Sequence, residues 1–163
     1  FIYPFRMRGG HKQKPILTGL LAFFFNTANG STNAFAITEL APHLWSSGWL
    51  TDPRFMAGIV IFTTGYAINQ QSDAILMNLR KPGEGGYKIP HGGFYRWLSS
   101  PNYFGEIIEW VGFALAAWTV PAWIFAWFTT MNLVPRAFSN HRWYLEHFRD
   151  YPKSRRAIIP FVL

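Results

Sequence analysis

The chain has 163 residues, a length that as a prior holds one domain; half of them are apolar and 19% are aromatic. Its net charge of +7 is spread between hydrophobic runs rather than gathered in a patch. That distribution argues against a nucleic-acid partner and follows the bias that keeps Lys and Arg on the cytoplasmic side of a membrane. The absence of cysteine excludes disulfides and thiolate metal sites, and no His/Glu pattern supplies another metal set. Three stretches, 15–38, 55–72 and 110–135, carry no charged residue. About 20 largely apolar residues cross a bilayer as a helix, so the chain is expected to be a multi-pass integral membrane protein. It begins at Phe1 without a signal-peptide pattern, and is expected to be a fragment.

In chain order, residues 1–14 hold Arg6, Arg8, Lys12 and Lys14 and read as a cytoplasmic loop. A first pass runs from about residue 15 into the 30s, its second half made polar by Asn26, Asn29, Thr32 and Asn33. The connection over 39–54 holds Glu39, Asp52 and Arg54 and belongs on the opposite side. A second pass is predicted from Pro53 to about Leu79, followed by a loop rich in glycine and cations through Arg96. Ser100 is expected to N-cap a third pass that starts at Pro101 and ends near Trp118. Pro121 marks a turn into a fourth pass ending near Pro135, and a separate interfacial helix is expected up to Asp150. Four passes place 1–14, 80–100 and 136–163 on one side, and those are the cation-rich segments.

Ionisable groups within membrane helices are costly and so are functional candidates. Asn69 and Asp73 share a face at i, i+4, and Asn102, Glu106 and Glu109 share one at i, i+4, i+7. Both clusters flank the glycine-rich loop, whose backbone and cations suit phosphate recognition. Two classes fit: an enzyme acting on a lipophilic substrate with a phosphate-bearing cofactor, or a transporter of an anionic solute. The gathering of polar groups at one depth favours the enzyme.

Several stretches resemble the steroid 5α-reductase family (3-oxo-5α-steroid 4-dehydrogenases). They are Asn78-Leu79-Arg80-Lys81-Pro82-Gly83, Gly86-Tyr87-Lys88-Ile89-Pro90, Asn102-Tyr103-Phe104-Gly105-Glu106-Ile107-Ile108-Glu109-Trp110 and Tyr151-Pro152-Lys153-Ser154-Arg155. Thr51-Asp52-Pro53-Arg54-Phe55 fits as well, and the resemblance runs through the whole chain. It implies an all-α, polytopic membrane helix bundle, of which this chain, a single domain over 1–163, holds about four of seven passes. It implies a bacterial inner or endoplasmic reticulum membrane and a cytoplasm-facing NADPH cavity. A lipophilic 3-oxo-Δ4 steroid enters from the surrounding lipid, and the protein is expected to be monomeric. By the same resemblance Arg8, Asn69, Asp73, Arg80, Tyr87, Asn102, Glu106, Arg136 and Tyr144 are cofactor-binding positions, and Tyr144 is a possible catalytic one. The implied reaction reduces the Δ4 double bond to a 5α-reduced 3-oxo steroid; relatives acting on polyprenols or enoyl thioesters share the pattern. The family's Glu and Tyr thought to hold the ketone lie in helices that precede this stretch. Gln71 and Asn140 stand where His is common in the family.

Overall fold

The computed structural model describes residues 16–79 and 84–162. Among them, four α-helices appear in chain order: α1 (Ile16–Phe35), α2 (Pro53–Asn78), α3 (Pro101–Ala117) and α4 (Val120–His147). The described residues hold no strand, and only an isolated bridge joins Leu98 to Arg156. The expected all-α bundle is therefore present, with helix starts within a residue or so of those predicted.

α2 and α3 form the most extensive helix–helix interface, and glycine makes it possible. Gly58 and Gly65 on α2 face Gly105 and Gly112 on α3, with the numbering running in opposite senses, so the helices are antiparallel. A Cβ on Gly58 would lie 2.5 Å from the Ala116 backbone nitrogen, and one on Gly105 2.6 Å from that of Asn69. Gly65 and Gly112 likewise meet backbone atoms of the opposite helix. Small residues let backbones approach closely and give the contact its van der Waals energy. On its other side α3 packs with α4 around Ala114, Ala117, Ala122 and Ala126, bordered by Trp110, Val111 and Phe113. α1 touches the bundle lightly, through Phe25 against Phe125 and Phe128 of α4.

The α2–α3 end of the bundle is closed by the connection over 36–52. α3 ends with carbonyls that have no partner within the helix. The indole of buried Trp49 donates to the Ala116 carbonyl at 3.1 Å, and His43 Nε2 lies 3.2 Å from that of Ala117. Asp52 caps α2 by accepting from the Arg54 backbone N–H at 2.8 Å, and its carboxylate also receives the Arg54 guanidinium. These hydrogen bonds hold the Asp52 carboxyl down at about 2. Arg54 in turn stacks over Trp49 and over Trp118, which turns the chain out of α3 in a left-handed conformation.

Two local expectations are corrected. Ser100 occupies the N-terminal boundary of α3, but its side chain caps no backbone N–H. Its backbone N–H instead donates to the Ala157 carbonyl, because residues 97–100 pair with the C-terminal segment. The break predicted at Pro135 is also absent: α4 runs through it, unbroken over its 28 residues from Val120 to His147. Proline removes one helical hydrogen bond, a loss that an otherwise well-bonded long helix tolerates.

Among the described residues, no helix is both long and apolar enough to cross a membrane. The outward surface is nonetheless apolar: Leu17, Phe24, Met56, Val60, Ile124 and Trp127 are all exposed. Asp73, Asn102 and Glu106 are partly buried between the helices, and Ser72 is fully buried.

Candidate functional site

The site grows from the α2–α3 seam, where the glycines bring the polar stripes of the two helices together. Asn69 Nδ2 donates to the Asn102 backbone carbonyl at 3.1 Å. Asn102 Nδ2 donates to Asp73 Oδ1 at 3.3 Å. One turn along α3, Glu106 lies close enough to Asp73 and Arg136 to feel both charges, and Glu109 follows it. The i, i+4 pairs read from the sequence therefore face one another across the seam. Arg136 stands exposed on α4.

Beside this seam lies a cavity of about 380 Å³. Of the residues predicted to bind cofactor, Tyr87, Asn102 and Tyr144 line it. Tyr87 meets Trp143 edge to face with ring centres 4.7 Å apart, and Tyr144 stacks on Tyr151 at 5.0 Å and 9°. Asn69, Asp73 and Glu106 stand behind Asn102 rather than on the cavity wall, and Arg136 is likewise off it. Arg8 and Arg80 lie outside the described residues.

The rest of the wall was not read from the sequence. Tyr95, Ser99, Tyr103 and Trp143 contribute to it, as does Asn140, whose amide donates to Ser100 Oγ at 3.4 Å. Tyr103 comes from the first turn of α3, and the others from the 93–100 loop and the last turns of α4, which the C-terminal segment pins together. Arg156 N–H donates to the Trp97 carbonyl and Ser99 N–H to the Arg156 carbonyl, both at 2.8 Å. Ser99 Oγ also lies 2.6 Å from His141 Nδ1 and accepts from Tyr151 Oη at 2.7 Å. Burial, and then the charge of Arg156, hold His141 below its ordinary value. Gln71 is not part of this wall and lies against Gly93.

The cavity falls within the roughly 300–1,000 Å³ typical of small-molecule sites. Flat aromatic rings beside amide and hydroxyl groups suit a planar heterocycle carrying polar substituents. Among the described residues, no three His, Asp or Glu side chains are placed to hold a metal ion.

Comparison with known proteins gives this arrangement a lineage. The family model described as 3-oxo-5-alpha-steroid 4-dehydrogenase matches residues 12–163. The chain is 48% identical over 162 residues to 3-oxo-5-alpha-steroid 4-dehydrogenase 1 of Bos taurus, covering 99% of this chain and 62% of that one. It is 49% identical over 161 residues to the Homo sapiens protein of the same name, covering 99% and 61%. To 3-oxo-5-alpha-steroid 4-dehydrogenase 2 of Homo sapiens it is 46% identical over 162 residues, covering 99% and 62%. The chain thus spans about three-fifths of the length of these curated relatives. With its family model matched almost end to end and its cavity built from the matching stretches, the chain belongs to the 3-oxo-5-alpha-steroid 4-dehydrogenase family.

Proposed function

We propose that the complete protein is a membrane-embedded, NADPH-dependent reductase of the Δ4 double bond of 3-oxo-Δ4 steroids, and that residues 1–163 form its cofactor-holding unit. The observation that carries this reading is the aromatic and amide cavity that Tyr87, Asn102 and Tyr144 line in a chain of this family. NADPH supplies a hydride when bound. The residues present fit such a cofactor: Tyr87, Trp143 and Tyr144 offer ring faces and edges, and Asn102 offers an amide fixed by Asp73. Arg8, Arg80 and Arg136 would meet its phosphates. The protein's share in cofactor chemistry is to bind, orient and tune in this way.

Membrane embedding is part of the same proposal and is supported by where polar groups find their partners. Asn26, Thr32, Thr63, Thr64, Asn132 and Ser139 bond back to carbonyls one turn earlier on their own helices. In lipid, polar groups must be satisfied internally, and back-bonding of this kind achieves it. Large apolar side chains such as Leu17, Met56, Ile124 and Trp127 stand exposed along these helices, while Asp73, Asn102, Glu106 and Glu109 are partly buried. An endoplasmic reticulum or bacterial inner membrane, a steroid entering from lipid and a monomeric state belong to this reading.

The test is NADPH oxidation by the full-length, detergent-solubilised protein with and without a 3-oxo-Δ4 steroid. Steroid-dependent oxidation yielding a 5α-reduced ketone is expected. Oxidation driven by polyprenol or enoyl-thioester substrates but not by steroids would move the substrate class, and NADPH-independent anion flux in liposomes would replace the enzyme with a transporter.

A further inference from the structure

Two separate elements converge on the hydroxyl of Ser99. Tyr151, in the segment after α4, donates its Oη–H to Ser99 Oγ at 2.7 Å. His141 of α4 places Nδ1 2.6 Å from the same oxygen. Ser99 and Tyr151 are only 4% and 3% exposed, yet Ser99 lies on the wall of the 380 Å³ cavity. His141 is partly buried.

A serine hydroxyl has one proton and two lone pairs. Tyr151 occupies one lone pair, which leaves one lone pair and the proton to be divided between His141 and the cavity. When His141 Nδ1 is bare, it draws the serine proton, and the cavity wall offers only an acceptor. When Nδ1 carries a proton, it donates to Ser99, and the serine O–H turns to the cavity. Whether His141 Nδ1 carries a proton therefore decides whether the cavity wall at Ser99 is a donor.

We propose that His141 and Ser99 form a proton relay that delivers the proton consumed in the reduction, with Tyr151 as the positioning residue that fixes Ser99 Oγ. The proposal rests on the reductase reading. As the hydride adds to the β-carbon of the enone, the electron pair of the carbon–carbon double bond shifts toward the α-carbon and ketone. The α-carbon then takes the proton from Ser99 Oγ–H. Ser99 regains one from His141 Nδ1–H, whose bonding pair stays on nitrogen, and neutral His141 is reprotonated from water. One enone, one hydride and one proton give one saturated ketone. The groups facing His141 from the C-terminal segment are Tyr151 and Arg156, and from the 93–100 loop Ser99; Arg142 adjoins it on α4. Burial, and then the charge of Arg156, oppose its protonation, so turnover should fall as pH rises through a value below that of an ordinary histidine.

The experiment uses the full-length enzyme with wild type, Ser99→Ala, Ser99→Thr and His141→Gln. General acid catalysis contributes on the order of 10²–10⁴ in rate. Ser99→Ala should lower kcat by about 10², and Ser99→Thr, which keeps the hydroxyl, should restore most of the rate. His141→Gln should lower kcat and abolish the alkaline fall. An unchanged kcat in Ser99→Ala, or an alkaline limb that persists in a folded His141→Gln enzyme, would overturn the relay. Nitrogen NMR of His141 supplies a readout independent of turnover: its Nδ1 resonance should move in Ser99→Ala. An Nδ1 signal indifferent to Ser99 overturns the relay whatever the substrate. A signal that responds in a protein that turns over no enone sinks the reductase reading alone.

Discussion

Asn102 ties the two polar stripes together through two different groups: its backbone carbonyl accepts from Asn69, and its side-chain amide donates to Asp73. Replacing it with alanine frees an Asp73 oxygen and removes an amide that reaches both the seam and the cavity. A hydrogen bond to a charged group is worth roughly 1.5–3 kcal/mol, so Asn102→Ala should weaken NADPH binding by tenfold or more in titrations of the full-length protein. Asn102→Asp should be worse, because it sets a second carboxylate against Asp73. Asp52 makes a prediction at the other end of α2. Its folded-state value of about 2 lies below the unfolded 3.8, so its contribution to stability is complete above about pH 4 and lost as pH falls through 2. Asp52→Asn, which caps without a charge, should melt closer to wild type at pH 2 than at pH 6. Residue-scale features differ in how legible they were. Asn69, Asp73, Asn102 and Glu106 could be found because helical spacing puts them on shared faces. Ser99, Trp143 and Tyr151 could not, since nothing local in the sequence says that the C-terminal segment folds back to pair with residues 97–100.

The element that positions all of this is the antiparallel α2–α3 pair, and its glycines make opposite predictions from glycines elsewhere. Gly65 and Gly112 meet backbone atoms of the opposite helix, so a methyl group at either must part the helices. Overpacking of this kind costs about 1–3 kcal/mol. Gly19, within α1, has open space around it, so Gly19→Ala should gain roughly 0.5–1 kcal/mol from helix propensity alone. Thermal unfolding in detergent should therefore show a lowered Tm for Gly65→Ala and a raised one for Gly19→Ala. Gly65→Ala should also loosen the Asn69–Asn102 bond one turn away and weaken cofactor binding. The matched seven-residue spacing, Gly58 to Gly65 and Gly105 to Gly112, was a readable signal for this pairing, though it says nothing of α4. There Pro135 suggested a stop, yet the helix that carries Asn140, Trp143 and Tyr144 to the cavity depends on passing through it.

At the scale of the whole molecule, the described helices expose many large apolar side chains, and this exposure separates two readings of what surrounds them. If the outer surface faces water, exposed residues such as Trp127, at 67%, should tolerate charge within about ±0.5 kcal/mol, as surface positions do. If it faces lipid, an arginine midway along a pass should cost about 2.5–3.5 kcal/mol. Trp127 stands seven residues into α4, with apolar Ile124 and Phe128 exposed beside it, so an arginine there has little chance to reach either interface. Trp127→Arg is therefore expected to lower the amount of protein retained in membranes after alkaline extraction and to reduce Tm in detergent, while Trp127→Leu leaves both near wild type. Equal retention of the two variants would remove lipid from that face of α4 and count against the proposed membrane embedding.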